Sequence, residues 1–137
     1  MITEANVVKD AKTSADWISG ALKGSGYRAD FSIESLKEID RLFDEQTSKG
    51  AAKPGGLLSK DLGARLFALG AYVGEVIVRN GGGTWQGDDK DPQAEINIAV
   101  RLGTGALIWP VQRVMKRYKN GAEDSISDYG MIVLTGR

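Results

Sequence analysis

The run from Leu58 to Asn80 constrains the fold most, because it is apolar on almost every side of a helical wheel. One broad face consists of Leu62, Leu66, Leu69, Val73, Val76 and Ile77, and the opposite side carries Ala64, Phe67, Ala71 and Val78. A helix that is apolar around its circumference is a buried one. The run therefore predicts a central helix with other elements packed on two sides. Its Gly70–Gly74 spacing would let a neighbouring backbone approach closely.

The same helix carries one narrow polar stripe: Asp61, Arg65, Tyr72, Glu75 and Arg79. Its two acid–arginine pairs are spaced i,i+4 with the acid first, which is the favourable orientation for an ion pair. Two interpretations stay open. The stripe is either a set of structural ion pairs, or, together with Trp85, the floor of a polar cleft. In such a cleft a partly buried Glu75 would have a raised pKa and act as an acid or base.

Two helices are expected before the central one. Apolar residues recur at spacings of three and four from Ile2 to Leu22, which predicts a helix over 3–23, with Ser14 as the possible start of a separate short one. Asp30–Gln46 shows the clearest helical pattern, and Ser32 suits its N-cap. The segment Ser48–Gly56, "SKGAAKPGG", is typical of a loop between helices.

Strands follow the central helix. Thr84–Gln86 predicts a short strand, and Glu95–Leu102 alternates apolar and polar residues with period two, as a half-buried strand does. Gly103–Gly105 then predicts a hairpin connection to Ala106–Val111. Two helices, Val111–Gly121 and Glu123–Leu134, complete the chain. Three helices, a three-stranded antiparallel meander and two helices together indicate an α+β fold, and 137 residues suit one domain.

Three consecutive glycines, Gly81–Gly83, separate the central helix from the first strand. Phosphate-binding glycine loops need the reverse order, a strand before the loop and a helix after it. We therefore expect the glycines to end the helix and turn the chain. Asn80–Gly81 would take the left-handed conformation common at helix C-termini.

Composition excludes several kinds of chemistry. The chain has no cysteine and no histidine, so disulfides, thiolate metal sites and the commonest general base are absent. The formal net charge of zero disfavours a dedicated nucleic-acid binder. The N-terminal residues mix charges and lack an apolar signal region, and the longest apolar run is too polar for a membrane span. We expect a cytoplasmic protein without a cofactor.

Two charged segments offer candidate binding surfaces. Asp88, Asp89 and Asp91 could approach a hard cation, but the EF-hand spacing is missing, so we expect an acidic loop and no metal site. Arg113, Lys116 and Arg117 lie in a basic helix that is either a solvated face or a contact for phosphate or an acidic partner. The second helix is acidic, so each helix could meet a complementary protein surface.

Two segments resemble a pattern found in small bacterial proteins of unknown function. Gly70–Trp85, "GAYVGEVIVRNGGGTW", has a Gly-x-Tyr-x-Gly-Glu-Val helix followed by a Gly-Gly-x-Trp turn into a strand. Trp109–Ile126, "WPVQRVMKRYKNGAEDSI", is similar to a later segment of the same proteins. The resemblance implies a similar architecture and no assigned activity. Domains of this kind often act as immunity or accessory proteins beside secreted toxins.

These patterns together favour a non-enzymatic domain that binds another protein, such as a toxin or effector. No residue is assigned a catalytic role. The alternative is a small-ligand-binding protein or enzyme with a cleft around Tyr72, Glu75, Arg79 and Trp85. A pocket that converges on Glu75 would favour the alternative, whereas an exposed charged or aromatic patch would favour protein binding.

Overall fold

The structure, a computed structural model, describes residues 3–136 and shows an α+β architecture. Its α-helices are α1 (Asn6–Gly24), α2 (Leu36–Gln46), α3 (Leu62–Gly81), α4 (Ala94–Asn97), α5 (Pro110–Asn120) and α6 (Ile126–Thr135). Its strands are β1 (Thr47–Ser48), β2 (Ala51–Ala52), β3 (Thr84–Gln86), β4 (Ala99–Arg101) and β5 (Leu107–Ile108). Single 3₁₀ turns, Ile33–Ser35 and Ala122–Asp124, precede α2 and α6. The predicted α+β class is confirmed, and within the described residues the short helix α4 and the β1–β2 sheet are additional to the predicted elements.

Helix α3 is the central element, as its apolar circumference predicts. Every residue from Leu66 to Ile77 is buried. α1 and α5 pack against it, and apolar clusters lie on two of its sides. Gly70 permits the close approach of α5, since a Cβ there would lie 2.5 Å from the Cα of Val111. Gly70 therefore acts in the packing of α5 against α3.

The N-terminal helices differ from the prediction mainly at their ends. α1 is continuous through Ser14, and Ile2 lies outside the described residues. The predicted second helix begins as the 3₁₀ turn, whose N-cap is Ser32, and becomes α-helical only at Leu36. The expected loop after α2 contains the two-residue strands β1 and β2, paired antiparallel. Lys49 and Gly50 both have positive φ, as a tight hairpin of this length requires.

The second sheet is the predicted antiparallel meander, in the order β3–β4–β5. The prediction of one strand over Glu95–Leu102 is wrong in its first half, where α4 forms instead. The cause is Asp91, whose carboxylate accepts hydrogen bonds from the Gln93 N–H at 2.8 Å and the Asn97 Nδ2 at 2.9 Å. These local bonds stabilise a helical turn before the chain enters β4.

The three glycines connect α3 to β3 without a helix N-terminus facing them. α3 continues through Gly81, and positive φ falls on Gly82 and Gly83, two residues later than the predicted Asn80–Gly81. The Gly82 N–H closes the helix on the carbonyl of Val78 at 3.0 Å. Within residues 3–136, no helix combines the length and apolarity that a membrane span requires.

Candidate functional site

Glu75, the centre of the predicted cleft, is a buried carboxylate with two partners. One of its oxygens accepts the Trp85 indole N–H at 2.8 Å, and the other accepts Arg79 Nε at 2.9 Å. The Trp85 side chain comes from β3 and is itself buried. Glu75 therefore ties the first strand of the meander to the central helix, and the i,i+4 pair with Arg79 forms as predicted.

Arg79 extends this network towards α1 and the α1–α2 connection. Its guanidinium lies 3.4 Å from the Asp16 carboxylate and 3.7 Å from the centre of the Phe31 ring. The Phe31 ring in turn stacks on Tyr72, with 4.7 Å between ring centres. The half-exposed Arg79 thus covers the ring of Phe31, which stacks on Tyr72 of α3.

Phe31 has a φ of 62°, a conformation that bulky residues rarely adopt. Two side chains of α3 hold it there. The Tyr72 hydroxyl accepts the Phe31 N–H at 3.0 Å, and Asn80 Nδ2 donates to the Phe31 carbonyl at 2.9 Å. The Tyr72 hydroxyl also bonds Ser35 Oγ at 2.6 Å, and burial raises the pKa of the phenol. Tyr72, Glu75 and Arg79 of α3 therefore hold the α1–α2 connection and, through Trp85, strand β3 against the central helix. Three of these four side chains are buried.

The N-terminal part of the polar stripe is separate from these four side chains. Asp61 has left-handed backbone angles at the start of α3 and forms no ion pair with Arg65, contrary to the predicted pairing. Arg65 Nη1 donates instead to the carbonyl of Leu57. Arg65 also lines an apolar cavity next to α1, so the two ends of the stripe have different surroundings.

The basic segment is divided between the interior and the surface. The Arg117 side chain is 2% exposed and donates from Nε to Asp40 at 2.9 Å and from Nη2 to Asp44 at 2.7 Å. Arg113 lies 3.6 Å from Asp124 and 4.8 Å from the centre of the Tyr129 ring. Both arginines thus contact acidic or aromatic groups of their own chain. Arg117 is buried and does not share an open face with Lys116, whereas Arg113 is 26% exposed and lines the same depression as Lys116.

Asp40 of α2 makes a set of long-range contacts that no motif in the sequence predicts. Besides Arg117, its carboxylate accepts the backbone N–H groups of Ile126 at 2.9 Å and Ser127 at 2.8 Å, and the Ser125 hydroxyl at 3.0 Å. A carboxylate at a helix N-terminus stabilises the helix through its free N–H groups and its dipole. One acid of α2 therefore fixes both α5 and α6. The contacts of Asp40 with Arg117 and Ile126 join residues far apart in the chain, so local residue spacing does not predict them.

The outer face of α5 is largely exposed and is formed by Trp109, Gln112, Met115, Lys116 and Lys119. These residues lie within one arc of the helix at 100° per residue. Trp109 is 42% exposed and Met115 37%. A depression of about 270 Å³ runs between Trp109 and Lys116, and another of about 540 Å³ lies beside Met115. The α5 outer face thus combines exposed apolar side chains with positive charge.

The acidic loop uses its carboxylates within the protein. Asp89 accepts the N–H groups of Asn6 at 2.7 Å and Val7 at 2.9 Å, so it caps α1, which has no capping side chain of its own. These hydrogen bonds lower the pKa of Asp89. Asp88 accepts the Lys90 N–H, and Asp91 supports α4. Among the described residues, no group of three or more potential metal-ligating side chains comes together.

Comparisons with protein-family models, with curated proteins and with solved structures found no match. No activity or residue role therefore comes to this chain from another protein.

Proposed function

We propose that this protein is a non-enzymatic binding domain whose α5 outer face contacts an acidic surface of another protein. The observation that carries the proposal is the exposed Trp109 beside Lys116. Exposed tryptophan and methionine are costly in water and are enriched at the centres of protein interfaces. Lys116 and Lys119 on the same face would attract an acidic partner and orient it.

The interior position of the polar stripe supports binding over catalysis. Tyr72, Glu75 and Trp85 are each at most 8% exposed and are bonded to neighbouring elements. A catalytic acid or base must come within hydrogen-bond reach of its substrate. These side chains instead hold the α1–α2 connection and β3 against α3. The hypothesis of a small-ligand or catalytic cleft therefore has less support than the hypothesis of protein binding.

In its concrete form, the proposal is a toxin-neutralising immunity protein or an accessory protein in the bacterial cytoplasm. Support comes from the resemblance of Gly70–Trp85 and Trp109–Ile126 to small bacterial proteins of unknown function, since small bacterial domains of this kind often occur beside secreted toxins. The engagement of Arg113 and Arg117 with their own chain also leaves less positive charge for nucleic acid.

The test is partner capture from the native host, followed by measurement of the affinity of the purified pair. Trp109→Ala should raise the Kd at least about tenfold, as expected for an interface anchor. Trp17→Ala is the matched control, because Trp17 is also exposed but lies on α1. Failure to recover a stoichiometric partner, or equal Kd values for wild type and Trp109→Ala, would contradict the proposal.

A further inference from the structure

A cavity of about 160 Å³ lies between α1, α2, the segment before α3, and α3 itself. Its lining includes Ile18, Leu22, Leu42, Leu57 and Leu69, with Trp17 also contributing. The Trp17 side chain is 54% exposed, so one wall of the cavity meets solvent. A cavity of about this size is large enough for a benzene-sized group.

Arg65 gives this apolar cavity one positively charged wall. Within residues 3–136, its guanidinium makes one hydrogen bond, from Nη1 to the Leu57 carbonyl, and its buried Nε has no partner. A guanidinium offers five N–H donors, so Arg65 can donate to a further acceptor beside the Leu57 carbonyl. A buried donor without an acceptor is unfavourable, and a carboxylate is the acceptor that fits a guanidinium edge best.

We propose that the cavity binds a small monocarboxylate with an apolar body of about six carbons, as its volume allows. The apolar body would fill the space between Leu22, Leu42 and Leu69, and the carboxylate would accept hydrogen bonds from Arg65. The apolar lining selects against strongly hydrated di- and trianions, and the positive charge of Arg65 selects against amines. The site is independent of the α5 outer face.

Hexanoate is a suitable probe, and hexan-1-ol is its neutral counterpart. Titration is followed by the NMR signal of the Trp17 indole N–H, assigned with Trp17→Phe. Hexanoate should shift this signal saturably and leave the Trp109 indole unchanged. Hexan-1-ol should bind about tenfold more weakly or worse, because it lacks the charge-assisted hydrogen bonds.

Two variants separate the roles of charge and space. Arg65→Gln should remove the preference for hexanoate over hexan-1-ol, whereas Arg101→Gln, the same change at an exposed position of β4, should leave it intact. Ala21→Leu places a larger side chain in the lining at an exposed position of a helix, and should abolish binding of both probes without unfolding the protein.

Two results would overturn the proposal. One is no saturable shift of the Trp17 signal at millimolar hexanoate with the folded wild-type protein. The other is equal affinity for hexanoate and hexan-1-ol that Arg65→Gln does not change, which would make the cavity an apolar gap without a carboxylate site.

Discussion

Arg117 and Lys116 are neighbours in the same helix, yet their environments are opposite. Arg117 is buried and bonds Asp40 and Asp44 of α2, whereas Lys116 is exposed beside Trp109. Successive helix residues point about 100° apart, so a run of basic residues cannot all face one way. The inner side of α5 holds the fold together, and the outer side is free to meet a partner. Two adjacent basic residues of α5 therefore differ in role. Arg117 stabilises the fold and Lys116 lies on the surface, and only the packing of the helix distinguishes them.

The largest expected effect is on the inner side. Arg117→Met would leave Asp40, whose side chain is 17% exposed, without its cation, and removing one partner of a buried ion pair costs about 3–5 kcal/mol. Asp44 is 61% exposed and stays hydrated, so its lost contact adds little. The free energy of unfolding from urea denaturation should fall by about that amount. Lys116→Met is the matched control and should change stability by less than about 0.5 kcal/mol. Similar losses for both variants would contradict the division of α5.

A second prediction extends the comparison to another inward-facing charge. Glu75→Gln keeps an acceptor for Trp85 but removes the ion pair with Arg79, whose side chain is 45% exposed. We expect a loss of about 1–2 kcal/mol in the free energy of unfolding, typical of a hydrogen bond to a charged group. Partner affinity should be unchanged. A partner Kd that rises tenfold while stability is unaffected would instead place Glu75 in a binding site.

Local patterns predicted the parts of the fold that depend on local interactions. The apolar circumference of 58–80 located the central helix, Ser32 marked an N-cap, and the order of the meander followed from its turns. The Glu75–Arg79 pair followed from i,i+4 spacing. Contacts such as Asp40 to Arg117 join distant parts of the chain, and nothing in their local sequence distinguishes them. The alternation of Glu95–Leu102 was overridden by the side-chain bonds of Asp91.

A third and smaller effect concerns acid. Hydrogen bonds from Arg41, together with the Arg28 N–H, lower the pKa of Glu38 from 4.5 to about 2. Because the folded pKa lies below the unfolded one, protonation favours unfolding. The stabilisation by Glu38 is complete above pH 4.5 and is lost as the pH falls towards 2. Glu38→Gln should flatten the decline of the free energy of unfolding over this range, and the effect is modest because the pair is partly solvated.

A curve for Glu38→Gln that follows wild type throughout this range would show that the pairing adds nothing to stability. Lys116→Gln serves as the control on the outer side of α5. Since Lys116 is exposed, its variant should lose stability in acid in parallel with wild type.

The smallest expected change in stability belongs to the α5 outer face itself. The double variant Trp109→Ala, Lys116→Glu changes exposed side chains, so its free energy of unfolding should stay within about 0.5–1 kcal/mol of wild type. A loss as large as that of Arg117→Met would show that this face supports the fold and is not reserved for a partner.

The most direct test of the α5 outer face is the affinity of Lys116→Glu for the captured partner over a range of salt concentrations. If an acidic protein binds there, wild-type affinity falls as salt rises, and Lys116→Glu binds at least about tenfold more weakly at low salt. Lys37→Glu, a charge reversal at an exposed position on α2, should bind close to wild type. Equal affinity of wild type and Lys116→Glu at every salt concentration would contradict the account.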